Sequence, residues 1–458
     1  MSASLLTRSA LAGAAALLAG CVGVAPDGGF SAVADSARAR TGAEPRLVRS
    51  AADERAVHDS VAALLAQPLG QDEAVRIALL NHPGLQASYW EAGIAQADLA
   101  QAARLQNPGF GFKRTSGGAL VEIERTLTFN LVQALTLPLS QRLESARFDA
   151  ARLQVGAAIE RHAFETRRAW VEAVAARQGL DYARRVNAAA EASAALTGRM
   201  ARSGNASALD RDREQLFHAE AAAGVMRAEQ ALTASRERLA RLLGLWGGQI
   251  HFTLPERLPE LPAAPLELGE TERLALERRI DVQAARQQAA STAASLGLSR
   301  STRFVNVLEL GLERKSETGE PRAGGYALSL ELPLFDWGGA RVARAEAVYM
   351  QALQRVAETA VNARSEARER YLAYRHAWDL ARHYRDAVLP LRKKISGEVL
   401  LRYNGMLASP FELLLDAREQ AGAVNAAIEA QKEFWIEDAA LQLALGGPAP
   451  TQQKEHAP

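Results

Sequence analysis

The chain has 458 residues, with 54 basic side chains against 53 acidic ones and a net charge of +1. That balance excludes a nucleic-acid binder, which would carry a basic excess, and a single cysteine excludes an intrachain disulfide. After Gly20 no apolar run reaches the roughly 18 residues of a transmembrane helix, so any membrane crossing by the mature chain must use another device.

The chain opens with a targeting segment. Arg8 supplies charge, and the apolar stretch Ala10 to Gly20 is too short to span a bilayer. It ends in Leu18-Ala19-Gly20-Cys21, which resembles the lipobox of bacterial lipoproteins. That resemblance implies cleavage after residue 20, acylation (palmitate) at Cys21 and, because Val22 and not Asp comes next, an outer-membrane destination. Residues 21–67, rich in Ala, Gly, Asp and Arg, read as an acylated tether with little structure of its own.

The rest of the chain carries the same arrangement twice, over 68–248 and 269–446, joined by a Pro-rich linker (249–268) and closed by a tail (447–458). Ala78-Leu79 precedes Pro83-Gly84-Leu85-Gln86-Ala87, and Ala275-Leu276 precedes Ile280-Asp281-Val282-Gln283-Ala284. A repeat of about 200 residues is too long for a solenoid; it means two similar halves, each helix, two strands, long helix, turn, helix. Strands are expected at about 108–139 and 304–334. In Val121 to Leu137 the odd positions carry Val121, Ile123, Leu127, Phe129, Leu131, Leu135 and Leu137, with Arg125 and Gln133 as exceptions, while the even positions are mostly Glu, Thr and Asn. Phe110 and Phe112 alternate with Gly and Lys. Leu308, Leu310 and Leu312, then Tyr326, Leu328, Leu330 and Leu332, alternate with polar or small residues. Period two over such lengths gives strands with one apolar and one wet face. The face suits either a soluble sheet with one buried side or a membrane barrel.

Long Pro-poor stretches of Ala, Arg, Glu and Gln give helices over about 140–243 and 340–445. Each pair is broken by a polar turn, Arg202-Ser203-Gly204 and Arg402-Tyr403-Asn404-Gly405, and Pro390 predicts a kink. Helices of such length point to coiled-coil packing. Four strands cannot close a barrel, and open edges in lipid would cost several kcal/mol per unpaired group, so transmembrane strands would require oligomerisation.

No catalytic constellation is present. The eight histidines are scattered, those in helical stretches reading as residues of solvated faces, and none has a metal-ligand spacing. There is no GxxxxGK[ST], five Met and one Cys form no soft-metal cluster, and no cofactor is implied. Glu412 and Asp416 are four apart and so share a helix face; Asp210 and Glu214 repeat the spacing and read as charges favoured at a helix start. Gly204 and Gly405 supply backbone freedom to the turns.

In order and twice over, the Ala-Leu openings, the Leu-Pro-Leu strand ends followed by Phe335-Asp336-Trp337-Gly338-Gly339, and Arg402-Tyr403-x-Gly405 leading to Leu414-Leu415-Asp416-Ala417 resemble the TolC family of outer-membrane efflux channels, over about Leu69 to Gly446. Two departures stand out: Ile280 replaces a proline, and the turn before Asp416 is about two residues longer. The resemblance implies a mainly α chain with a transmembrane β-barrel portion: a homotrimer with a twelve-strand barrel in outer-membrane lipid and an α-helical tunnel into the periplasm. It implies a passive exit duct, not an enzyme, working with a periplasmic adaptor protein and an inner-membrane efflux transporter. It further implies a periplasmic gate at Asp416 and Glu412 with Arg418 and Tyr403 as partners, and adaptor contacts at the tips Gly204, Ser207, Gly405 and Ser409. The alternative is a structural outer-membrane lipoprotein built on a long helical bundle.

Overall fold

The computed structural model describes residues 25–304, 307–331 and 333–449; Cys21 and the signal peptide lie outside them, as do Leu332 and the end of the tail. In chain order the elements are helices α1 (Phe30–Thr41), α2 (Ala51–Leu65), α3 (Gln71–Asn81) and α4 (Pro83–Ala102), strands β1 (Gly109–Gly117) and β2 (Leu120–Asn130), then α5 (Leu131–Arg202), α6 (Ala208–Leu243), α7 (Thr271–Arg278) and α8 (Ile280–Ser301). Strands β3 (Leu308–Glu317) and β4 (Ala323–Leu330) come next, then α9 (Gly339–His383), a π turn (Tyr384–Val388), α10 (Leu389–Asn404) and α11 (Pro410–Ala444). They form two compact units. One holds residues up to Val33, Ser88–Val155 and Ile280–Val361, with the sheet; the other holds Ala34–Ala87, Gly156–Arg279 and the chain from Asn362 onward, with both helix turns.

The sheet is antiparallel in the order β1-β2-β3-β4, so β2 and β3 join the hairpins of the two halves while β1 and β4 are edges. Strand β2 stops seven residues before the end of the expected Val121–Leu137 strand, and Leu131 is helical. The Asn130 carboxamide oxygen accepts the Gln133 amide at 3.0 Å and so caps α5. Period two misleads here because Leu131, Leu135 and Leu139 are four apart, a spacing that fits a helix face as well. Pro138 sits inside α5, where it removes one backbone donor. The second half differs: β4 ends at Leu330, and Pro333 and Leu334 fall in the connection before Gly339.

The stretch expected to be a bare tether carries α1 and α2. Ser50 accepts the Asp53 amide and caps α2, and Val33, Ala37, Val57 and Val61 are buried. Arg40 ties this segment down, donating to Glu160 at 3.0 Å and to the carbonyls of Arg278 (2.6 Å) and Gly446 (3.1 Å). The buried stripe is short, Phe30, Val33, Ala37 and Thr41 in α1 and Val57 and Val61 in α2, which leaves a faint period in the sequence.

The repeat is plain in the second unit. Helix α3 ends at His82 with ψ 118°, and α7 ends at Arg279 with ψ 131°. The break therefore persists where Ile280 replaces the proline. Against each break sits a left-handed glycine at the end of the returning helix, Gly244 (φ 68°) and Gly446 (φ 72°). A Cβ on Gly244 would lie 2.9 Å from the Asn81 carbonyl oxygen; one on Gly446 would lie 2.7 Å from the Arg278 carbonyl carbon. The kink expected at Pro390 takes the form of the π turn, in which the Leu389 amide donates to Tyr384 and Pro390 opens α10.

The linker is a packed strap. Phe252, Leu254, Leu258 and Leu261 are buried. With no regular partner for its backbone, side chains satisfy it: Arg177 donates to Leu254, Trp435 and Gln431 to Pro259 (3.0 and 2.7 Å) and Trp378 to Pro262 (3.1 Å), while Tyr374 accepts the Leu266 amide (3.0 Å).

His82 and His162 are not on solvated faces. Their rings stack at 4.2 Å, His82 Nδ1 accepts the Leu85 amide at 3.3 Å and His162 Nε2 lies 2.8 Å from the Leu242 carbonyl oxygen. Burial, then the neighbouring His162, pushes the His82 pKa down to about 4.

This packing is open to two tests. Gly244→Ala and Gly446→Ala each force a Cβ into backbone at positive φ, and each should lower stability by roughly 1–3 kcal/mol; a thermal melt showing no loss for either removes the close-approach argument. His82 stays neutral in the folded chain but takes up a proton in the unfolded chain below about pH 6.5. Its contribution is therefore full above that pH and is lost as pH falls toward 4. His82→Asn keeps an acceptor for Leu85 without the titration, so its melting temperature should fall less than wild type between pH 7 and 5.

Candidate functional site

The two helix turns are built alike. In the first, Gly204 is left-handed (φ 79°) and the Asn205 amide donates to Met200 at 2.8 Å; in the second, Met406 is left-handed (φ 57°) and the Leu407 amide donates to Arg402 at 2.7 Å. Three residues on, Ser207 and Ser409 cap the returning helices, each in a reciprocal box with Asp210 or Glu412. Gly405, by contrast, has φ −83°. The left-handed position expected of Gly405 thus belongs to Met406, a residue that carries strain there and is 94% exposed beside exposed Leu407.

The turns correspond at a spacing of 202 residues: Gly204 with Met406, Ser207 with Ser409, Asp210 with Glu412, and Glu214 with Asp416. This register separates the acidic residues by role. Asp210 and Glu412 hold their capping serines and are exposed or nearly so, so the Glu412 carboxylate is accounted for by the helix start. Glu214 and Asp416, one turn further on, are buried at 2% and 7% exposure.

Those two buried carboxylates have unlike surroundings. Glu214 accepts from the Ser193 hydroxyl at 2.8 Å and lies 3.7 Å from the Arg418 guanidinium, which stacks 4.1 Å from the Phe217 ring. Arg418, expected to partner Asp416, instead links α11 of the second half to α6 of the first. Asp416 has no hydrogen-bond or ion-pair partner among the described residues, and its Oδ1 is fully enclosed; Tyr403 does not reach it. The spacing of 202 was the available signal for pairing Glu214 with Asp416; no signal in the sequence singled out Met406.

In the other unit the ladder sorts the sheet into two faces. Phe110, Leu127, Leu312 and Tyr326 form one cross-strand row, Phe129, Leu310 and Leu328 the next, and Leu308 and Leu330 the last. Phe110, Phe129, Leu312, Tyr326, Leu328 and Leu330 are exposed in the single chain. The opposite face carries Thr126, Thr128 and Glu313, with Lys315 paired to Glu122 at 2.8 Å. Leu127, Phe129, Leu308, Leu310, Leu328 and Leu330 of the alternating pattern all lie on the apolar face, whereas Leu131 is helical. Among the described residues no helix is long and apolar enough to cross a membrane and no acid or histidine cluster could hold a metal.

No family model matches the chain. Protein CyaE of Bordetella pertussis is 28% identical over 319 residues, which are 64% of this chain and 66% of its own length. The chain thus spans just under two thirds of that relative. Among solved structures, the outer membrane protein VceC of Vibrio cholerae superposes with a TM-score of 0.69 at 16% identity, covering 82% of this chain and 96% of its own. The outer-membrane channel OprN gives 0.69 at 19% identity, covering 90% and 95%. The chain has the TolC-type channel fold. Its structural neighbours are channels, not enzymes.

The Glu214–Arg418 contact can be tested in isolation. Arg418→Leu leaves a buried carboxylate with one hydroxyl partner and should destabilise by on the order of 2 kcal/mol. Adding Glu214→Gln should recover most of that loss, as read by denaturant unfolding of the single and double variants; strictly additive effects mean that the two side chains do not interact.

Proposed function

We propose that the protein is the outer-membrane exit duct of a tripartite efflux system. Three copies would close a twelve-strand barrel, with the apolar face toward lipid and the Thr/Glu/Lys face toward water, and the long helices would form the periplasmic tunnel. The observation that carries this reading is the sheet itself: it is open at both edges, with an exposed apolar face on one side and ion pairs on the other. A soluble bundle would cover that face. In this reading Cys21 carries the lipid anchor, the proposed domain order is the one expected from the sequence, and the periplasmic adaptor meets the turns at Gly204, Ser207, Gly405 and Ser409, with exposed Met406 beside Gly405 and an inner-membrane transporter supplying energy.

The gate falls to Asp416, with Arg418 holding Glu214 beside it and Glu412 confined to its capping box. Three such carboxylates near one axis repel one another unless cations sit between them, so a closed mouth would hold and favour cations. Light scattering corrected for detergent should return the mass of three chains, and a monomer overturns the reading. In planar bilayers Asp416→Asn should weaken cation preference and raise conductance. Leu310→Arg should cost roughly 2–4 kcal/mol where it meets lipid near the midplane, whereas Thr128→Arg should be tolerated.

A further inference from the structure

The apolar face of the sheet does not stay apolar to its tips. Beyond the Phe110, Leu127, Leu312 and Tyr326 row comes a row of Phe112, Arg125, Arg314 and Gly324, and beyond that Arg114 opposite Ile123. Arg125, the one charged exception in the alternation of β2, is directly opposite Arg314. Like charges in that position repel, and the sheet offers them no relief. Every acidic residue of the four strands, Glu122, Glu124, Glu309, Glu313 and Glu317, falls on the other face.

The basic residues of the two faces are therefore treated differently. On the wet face Lys113 reaches Glu124 at 3.8 Å and Lys315 reaches Glu122 at 2.8 Å. On the apolar face Arg114, Arg125 and Arg314 are exposed and have no carboxylate within ion-pair distance among the described residues; the contact Arg125 does make is with the Phe112 ring, 6.0 Å away. Along the strands the face runs from aliphatic rows through Phe110, Tyr326 and Phe112 to arginine, the order of a membrane interface seen from inside the lipid.

We propose that Arg114, Arg125 and Arg314 form a lipid-facing guanidinium collar that binds the phosphate groups of an anionic glycolipid in the outer leaflet. This rests on the barrel reading above, which places the hairpin turns on the side away from the helices and hence toward the cell exterior. Guanidinium groups match phosphate with bidentate geometry, and in a low-dielectric setting such bonds are strong. The occupant is a lipid and not a soluble anion because the arginines are continuous with the apolar rows, so a ligand that meets both must carry acyl chains below its phosphates.

The test uses the full-length trimer in neutral detergent, with thermal melting as the readout and four additives: bisphosphorylated lipid A, the same lipid dephosphorylated, phosphatidylethanolamine and inorganic phosphate. Lipid A should raise the melting temperature by several degrees and the other three should not. Arg114→Gln/Arg125→Gln/Arg314→Gln should lose the rise, the triple Arg→Lys variant should keep much of it, and Lys113→Gln/Lys315→Gln should keep it whole. An equal rise with dephosphorylated lipid overturns the collar, as does a full rise in the triple Gln variant; an equal rise with inorganic phosphate overturns the lipid assignment. The comparison of lipids on the wild-type chain decides the matter even if the triple variant does not fold. Mass measured on the same sample separates a failed collar from a failed barrel, because a monomer rejects the barrel whatever the lipids do.

Discussion

A backbone that enters lipid must bond all of its amide groups, and on the proposed reading that constraint governs this molecule. The chain brings four strands, and two of its edges remain open. Edge strand β4 carries no charge on the apolar face, and β1 carries one, Arg114, only near its hairpin tip. Most of the large side chains on the apolar face are exposed among the described residues. Both facts fit a surface meant to be finished by copies of itself. In the proposed barrel the long helices, with charges throughout, could not share the lipid phase with the strands, so the change from strand to helix at Asn130 would mark a change of solvent as well as of backbone geometry.

The duplication sets the second layer of organisation. Each half places a left-handed glycine against the break between its short helices, and each opens its returning helix with a serine and an acid in a reciprocal box. Within this shared plan the halves diverge at the places where a channel would need difference. One turn uses Gly204 and the other a strained Met406. One buried carboxylate is held by Ser193 and Arg418, and its counterpart has no partner among the described residues. In the proposed trimer a ring of these residues would alternate held and unheld carboxylates, with threefold and not sixfold symmetry.

Much of this was legible in the sequence. Strand faces follow from period two, and the register confirms them from Phe110 to Leu330. Helix starts at Ser207 and Ser409 follow from capping chemistry. The misses have physical causes. Leu131, Leu135 and Leu139 satisfy two periods at once, and Asn130 decides between them through a side-chain hydrogen bond that no periodicity reveals. Helix α1 buries Phe30, Val33, Ala37 and Thr41 and α2 only Val57 and Val61, a short signal against a background rich in alanine. Arg418 pairs with Glu214 across some 200 residues of chain, a contact that local spacing cannot name. The break at Arg279 survives without proline because Gly446 packs against it, so the conformation is fixed by tertiary contact and not by the residue itself.

The strap between the halves has a topological consequence. A duplicated chain carries two similar hairpins, and in a crowded assembly the second hairpin of one copy could pair with the first hairpin of another. Exchange of this kind is a familiar hazard of internal repeats. A strap that contains four prolines and is stapled by Trp378, Tyr374, Trp435 and Arg177 has little slack. It raises the effective concentration of β3 near its own β2 and lowers the reach of β3 toward a neighbour. In the proposed trimer such a linker would act as a proofreader of parentage, biasing each chain to complete its own pair of hairpins before it meets another.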